Sequence, residues 1–134
     1  MIEWEANRAI HNSILECIGR TPMVSLKRLA AGIQPEICVK LEFPNPSGSL
    51  KDRVAYKIVR RAEERGELKP GMILLEGTTG NTGISTAMVG AACGYRVIIV
   101  MPQGMSEERK KTIQAYGAEL VLTPGAETDV DLVL

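Results

Sequence analysis

From residue 72 onward, apolar runs alternate with polar, small-residue or charged stretches in a regular cadence. Met72 to Leu75 is a short apolar run behind Pro70-Gly71, long enough for a buried strand and too short for a helix. A polar loop, Gly77-Thr78-Thr79-Gly80-Asn81-Thr82-Gly83, leads into Ile84 to Cys93, rich in small helix-compatible residues and closed by Gly94, a suitable left-handed cap. The unit then repeats. Arg96 to Met101 is a β-branched run typical of a covered strand, and Pro102 to Met105 forms its exit. Ser106 is placed to cap a helix that starts with Glu107 and Glu108 and carries Lys110 and Lys111 further on. Ile113 and Tyr116 share one face of it, Gly117 ends it, and Glu119 to Leu122 supplies a third strand before Thr123-Pro124-Gly125. Strand starts recur about every 23 residues, the length a βαβ crossover needs, so the pattern predicts a parallel sheet with right-handed connections.

Upstream, Ile37 to Phe43 alternates as a strand, and Pro44-Asn45-Pro46-Ser47-Gly48-Ser49 must be a loop. Leu50 to Arg65 carries Leu50, Val54, Ile58 and Ala62 at helical spacing, with Gly66 closing the run. Met23 to Leu29 reads equally as a short strand or a helix. The expected fold is α/β: an open parallel sheet of about three to four strands with helices on both faces. Residues 1-36 form an N-terminal extension and leading segment, 37-71 a strand, loop and helix, 72-126 a parallel βαβαβ subdomain and 127-134 a tail, all within a single compact domain.

Composition narrows the function classes. The 134 residues balance 16 basic against 16 acidic side chains, so no net charge draws the chain to nucleic acid or an anionic membrane, and neither is expected as a partner. No apolar run approaches the roughly 18 residues of a membrane span. The start, Met1-Ile2-Glu3-Trp4-Glu5, is acidic where a signal peptide is basic, so the expected location is cytoplasmic. Cys17, Cys38 and Cys93 are odd in number and widely spaced; they read as reduced core thiols, not as a disulfide framework or a metal site. His11, the only histidine, leaves no His-rich metal site and rests any Ser-His-Asp triad on one residue. The six methionines read as gap fillers in a core poor in aromatics, and Glu63-Glu64, Glu107-Glu108 and Arg60-Arg61 as solvated helix faces.

Chemistry concentrates in two loops, each joining a strand end to a helix start, where open α/β sheets place ligands; both are expected at the same sheet edge. Lys51 lies in or near the first turn of its helix, where the partial positive charge disfavours a cation by a few tenths of a kcal/mol and favours a nucleophilic amine. The alternative is a solvated Lys51-Asp52-Arg53 cluster with Asp52 neutralising the lysine. The Pro- and Gly-rich approach favours the functional reading, since a plain surface turn does not need it. Gly77 to Gly83 offers three glycines, Thr hydroxyls, an Asn amide and a helix start, which together make an anion cradle suited to a carboxylate or small phosphate. It is GxxGxxG, neither a dinucleotide fingerprint nor a Walker loop.

Pro46-Ser47-Gly48-Ser49-Leu50-Lys51-Asp52-Arg53 is similar to the lysine motif of fold-type II pyridoxal-phosphate enzymes, and Glu76 to Gly83 resembles their substrate-carboxylate loop. The resemblance, nearest to cysteine synthase and cystathionine β-synthase, extends to Ile18-Gly19-Arg20-Thr21-Pro22-Met23, Met101 to Arg109 and Ala115 to Leu120, about residues 14 to 126 in all. It implies pyridoxal 5'-phosphate as cofactor, with Lys51 as the internal aldimine lysine that also shuttles the α-proton. It implies further that Asn81 hydrogen-bonds the ring hydroxyl and that Thr78, Thr79, Gly80 and Thr82 hold the substrate carboxylate. Many members have Ser where Thr79 stands; the extra methyl narrows the pocket.

The implied reaction is β-replacement on an O-activated serine with sulfide, a transferase or lyase step of cysteine biosynthesis that uses the cofactor as electron sink and needs no metal. Cystathionine β-synthase and serine or threonine dehydratase chemistry are the alternatives within the fold type. Members of the family are much longer. Their cofactor-phosphate loop and the hydroxyl facing the pyridine nitrogen have no counterpart in residues 84 to 134, and the pattern departs after about Ala126. The chain is therefore expected to end truncated or divergent and to act as a homodimer or with a complementing C-terminal chain. The remaining alternative is a non-catalytic domain that dimerises.

Overall fold

A computed structural model describes residues 10–125; the tail 127-134 and the departure after Ala126 lie outside the described residues. After a short 3-10 helix, Ile14–Cys17, come β1 (Met23–Ser25), β2 (Cys38–Lys40), α1 (Lys51–Glu64), β3 (Ile73–Gly77), α2 (Asn81–Cys93), β4 (Arg96–Pro102), α3 (Glu107–Ala115) and β5 (Glu119–Thr123). Strands β3, β4 and β5 form a parallel sheet in that order, with Leu75 opposite Ile98 and Ile99 opposite Leu120. The βαβαβ cadence is therefore present. β4, paired on both sides, buries Val97, Ile99 and Met101 on one face.

That face meets both helices. Ala87 of α2 and Ile113 of α3 pack with Val97, Ile99, Met101 and Met105 in one core, with Leu74 and Leu120 at its margins. α2 comes very close to the strands. A Cβ at Gly90 would overlap the Val97 Cγ2 methyl, and one at Gly83 would lie 2.5 Å from Thr78 Cγ2. The outer side of α2 receives α1, where Ala55 and Val59 pack on Met88 and Val89. No helix among the described residues is long and apolar enough to cross a membrane.

Several expectations change. Helices were expected on both faces of the sheet; among the described residues α2 and α3 share one face, and Ile73, Leu75 and Val121 on the other are exposed. The alternating run at 37–43 yields only β2, which pairs antiparallel with β1 in a separate two-stranded sheet. α1 turns its predicted apolar stripe outward: Leu50, Val54 and Ile58 are exposed, Ile58 at 63%, while Asp52, Ala55 and Val59 face in. The small residues win because α2 lies close enough to admit only short side chains. Cys17 and Cys38 are exposed and are not core residues, whereas Cys93 is half-buried and packs against the core between α1 and α2. Met88, Met101 and Met105 fill the core as expected, whereas Met23 and Met72 are exposed.

The two-stranded sheet is tied to α1 by polar contacts. Glu42 Oε2 accepts from Arg53 Nε at 2.9 Å and from Asn45 Nδ2 at 2.8 Å; Glu42 Oε1 accepts from Thr21 Oγ1 at 3.0 Å and Arg53 Nη2 at 3.1 Å. The Arg53 hydrogen bond, with those from Asn45 and Thr21, holds the Glu42 carboxyl at about 2, well below the ordinary 4.5. Gly19, at φ +87°, donates its N–H to Asn45 Oδ1 at 2.9 Å, and a side chain there would meet the Arg53 guanidinium.

Two outcomes are expected. Gly90→Ala destabilises the chain by about 1–3 kcal/mol in urea unfolding, because overpacking outweighs the gain of about 1 kcal/mol in helix propensity, and adding Val97→Ala recovers part of the loss. A stabilised Gly90→Ala would refute the close contact. Because Glu42 is depressed in the folded state, its contribution is complete above the unfolded value near 4.5 and is lost as pH falls toward about 2. Urea midpoints measured across that window fall more steeply for the unaltered chain than for Glu42→Gln; parallel curves would refute the assignment.

Candidate functional site

The lysine motif splits in three directions. Lys51 is the first residue of α1; its backbone N–H donates to Ser49 Oγ at 3.2 Å, and Gly48 makes the preceding turn at φ +88°. The Lys51 side chain is half-buried, and its ammonium forms no ion pair or hydrogen bond with the described residues. Arg53 turns to Glu42. Asp52 turns inward, 0% exposed, so the solvated cluster with Asp52 as neutraliser does not exist. Its carboxyl accepts from the Ser47 N–H at 2.7 Å, from Ser85 Oγ at 2.6 Å and from Ser47 Oγ, and the two serine hydroxyls lie 3.0 Å apart.

In the second loop β3 continues through Glu76 and Gly77, and the Thr78 N–H donates to the Val100 carbonyl at 3.0 Å. α2 begins at Asn81, three residues earlier than its apolar pattern indicates, because the Gly80 carbonyl already accepts from the Gly83 N–H at 3.0 Å. Asn81, Thr82 and Gly83 thus form the first turn. The N–H groups of Asn81 and Thr82 are there without intrahelical acceptors, as at any helix start. Gly80 donates its N–H to Thr78 Oγ1 at 3.1 Å, which leaves the Thr78 hydroxyl proton available to a ligand. Asn81 is exposed, and Thr78, Thr79, Gly80 and Thr82 are half-buried.

Although β2 lies outside the parallel sheet, the two loops do meet: Ser47 and Asp52 from the lysine loop join Ser85, one turn beyond Asn81 on α2. The cradle residues do not converge on one cavity. Asn81 lines a groove with Ser47, Ile84 and Arg109, whereas Thr82 lines an apolar groove with Val54, Ile58 and Glu76, where burial pushes the Glu76 carboxyl up. Three residues were missed as site residues. Arg109 lays its guanidinium over Gly80, 3.6 Å from where a Cβ would stand, and donates to the Thr79 carbonyl at 3.4 Å. Ser85 and Ser47 were visible only as small polar residues, and the Asn81-to-Ser85 spacing of one helical turn was the available signal.

The donor set fits a pyridoxal phosphate: a primary amine without a competing partner among the described residues, an exposed amide at a helix start, and hydroxyls beside first-turn N–H groups for a carboxylate. Sequence and structure comparisons agree. The chain is 54% identical over 112 residues to a probable cysteine synthase of Bacillus subtilis, covering 84% of this chain and 36% of that one. It is 50% identical over 126 residues to cysteine synthase B of Salmonella typhimurium, covering 92% and 42%. The crystal structure of cysteine synthase from Entamoeba histolytica superposes with a TM-score of 0.88 at 45% identity, over 95% of this chain and 38% of that one. An O-ureido-L-serine synthase structure gives 0.80 at 52% identity, over 87% and 37%. This chain spans about two fifths of the length of these relatives. Residues 14–133 match the family described as pyridoxal-phosphate dependent enzyme, and with this coverage the chain belongs to that family.

Proposed function

We propose that this chain is the lysine-bearing portion of a cysteine-synthase-type enzyme that replaces the activated hydroxyl of an O-activated serine by sulfide. The observation that carries the reading is the amine of Lys51 at the head of α1, which has no partner among the described residues and is tied through Asp52 and Ser85 to the helix that begins with Asn81 and Thr82. Relatives named cysteine synthase, at about half identity, support the same reaction class. A cytoplasmic location, and a homodimer or a complementing C-terminal chain as partner, belong to the same proposal.

Pyridoxal phosphate, when bound, supplies an electron sink for the charge left at the substrate Cα. The residues of the chain do the rest. Lys51 Nζ is the nucleophile that would hold the cofactor, and the same amine would take the substrate Cα proton and later return it. Loss of that proton lets the Cβ–O bond break with the leaving group, and hydrosulfide then forms the Cβ–S bond. The Asn81 amide N–H would be the donor for the cofactor's ring hydroxyl oxygen. Thr78, Thr79 and Thr82 bind the substrate carboxylate through their hydroxyls and the helix-start N–H groups, orienting the Cα–H bond. Gly80, whose N–H is already given to Thr78, contributes to that site after this bond opens.

A second reading, a non-catalytic domain that pairs through its apolar surface, draws on the exposed stripe of Leu50, Val54 and Ile58 beside exposed Ile73 and Leu75, the last at 68%. Sedimentation separates it: a dimer dispersed by Ile58→Asp and Leu75→Lys favours pairing through that face, and a monomer at high concentration removes it.

The catalytic reading is tested by adding pyridoxal phosphate, reducing with borohydride and mapping the peptides. A pyridoxyl group is expected on Lys51 and absent in Lys51→Ala; no label at millimolar cofactor sinks the reading. Thr78→Ala and Thr82→Ala leave the label in place and weaken amino-acid binding by about tenfold each, the scale of a hydrogen bond to a charged group. Product analysis with O-acetylserine, O-phosphoserine and serine, with and without sulfide or homocysteine, and with a complementing C-terminal chain added, selects among β-replacement, cystathionine β-synthase and dehydratase chemistry.

A further inference from the structure

We infer that Asp52 is a positioning residue: together with Ser47 and Ser85 it locks the helix start that carries Lys51 against the helix start that carries Asn81. The inference rests on the role proposed above for Lys51 and adds the device that sets its place.

Asp52 follows Lys51 in α1, yet its side chain is fully buried, and among the described residues no cation pairs with it. A buried carboxyl is costly unless its oxygens are satisfied, and here three donors satisfy it. Their origin gives the arrangement its meaning. Ser47 supplies both its N–H and its hydroxyl, which folds the loop ahead of Lys51 back onto the start of α1. Ser85 supplies the third from α2, one turn after Asn81. Ser47 and Ser85 also touch each other at 3.0 Å, closing a three-membered polar cluster.

No strand pairing places these two loops together, because β2 lies outside the parallel sheet. Ala55 and Val59 pack α1 on α2 further along, but such small apolar contacts tolerate sliding, whereas hydrogen bonds from fixed donors specify register. Lys51, the residue before Asp52, takes no part in the cluster, and its amine has no partner among the described residues. Removing the cluster is therefore expected to release the amine from its fixed relation to Asn81 while the βαβαβ core remains.

The test compares the unaltered chain with Ser85→Ala, Asp52→Asn and the conservative Ser47→Thr. Each is incubated with pyridoxal phosphate, reduced with borohydride and peptide-mapped well below its melting temperature. Amide hydrogen exchange is followed on the cofactor-free chains. The unaltered chain and Ser47→Thr are expected to label Lys51 in preference to the other lysines. Ser85→Ala and Asp52→Asn lower the Lys51 share by about tenfold or more, since small misplacements of a reacting group have large effects on rate. Labelling of the other lysines stays unchanged, and faster exchange is confined to Ser47 and the first turns of α1 and α2. A merely structural role would lower the melting temperature without changing the distribution of label.

Undiminished preference for Lys51 in both variants overturns the inference and leaves the proposed function standing. Absence of label from the unaltered chain overturns the proposed function instead. Exchange then decides the inference by itself: no change at Ser47 and the two helix starts in Asp52→Asn overturns it, and acceleration confined to them supports the lock.

Discussion

The close approach of α2 to the sheet is the constraint on which the remaining arrangement depends. Gly83 and Gly90 carry no side chain where one would collide with Thr78 and Val97, and Ala87 adds only a methyl group to the core between them. An interior packed at organic-crystal density has little room to absorb a change of even one methylene here. Because α2 lies so low, its first turn falls directly beside the end of β3, and the Thr78-to-Gly80 segment becomes a tight connection with Gly80 as its cap. Its outer side is left flat enough for α1 to dock through Ala55 and Val59. The position of the lysine motif thus follows from a helix that contains none of it.

The same constraint explains why α1 faces as it does. Spacing alone marks Leu50, Val54, Ile58 and Ala62 as the apolar stripe, and the amphipathic pattern is real. Burial, however, depends on which surface offers room. Against a close neighbour such as α2, short residues and a hydrogen-bonded Asp52 fit, and the longer aliphatic side chains are directed outward toward β3 and solvent. With the uncovered sheet face at Ile73, Leu75 and Val121, this gives the domain a larger exposed apolar area than isolated surface residues normally account for. The two-stranded sheet, in which β2 has no buried residue, is held mainly by the polar knot around Glu42 and Arg53.

Much of the candidate site was legible because its chemistry is local. A glycine-rich connection between an apolar run and a helix, and a lysine after a Pro- and Gly-rich loop, are marked by residue type and order. Conformational demands such as Gly48 at φ +88° and Gly94 at φ +78° enforce those choices. What stayed hidden involves residues far apart in the chain. Asp52 with Ser85, Arg53 with Glu42 and Arg109 over Gly80 are contacts between residues more than ten positions apart, and nothing in the pattern of either segment indicates the other. Misplaced thiols have the same origin: Cys17 and Cys38 sit among apolar neighbours in sequence but on the exposed sides of their elements.

The sequence by itself determined the parallel α/β cadence of residues 72 to 123, the two loops that lead into α1 and α2, and the family, since these depend on backbone periodicity, turn chemistry and short motifs read within a few residues. Only the tertiary structure decided which face of α1 is buried, that β2 pairs with β1 outside the main sheet, and that Asp52 bridges to Ser85 while Lys51 has no partner among the described residues. The physical reason is that burial and buried hydrogen bonds belong to pairs of surfaces, and a pair exists only once the helix that brings the surfaces together has been packed.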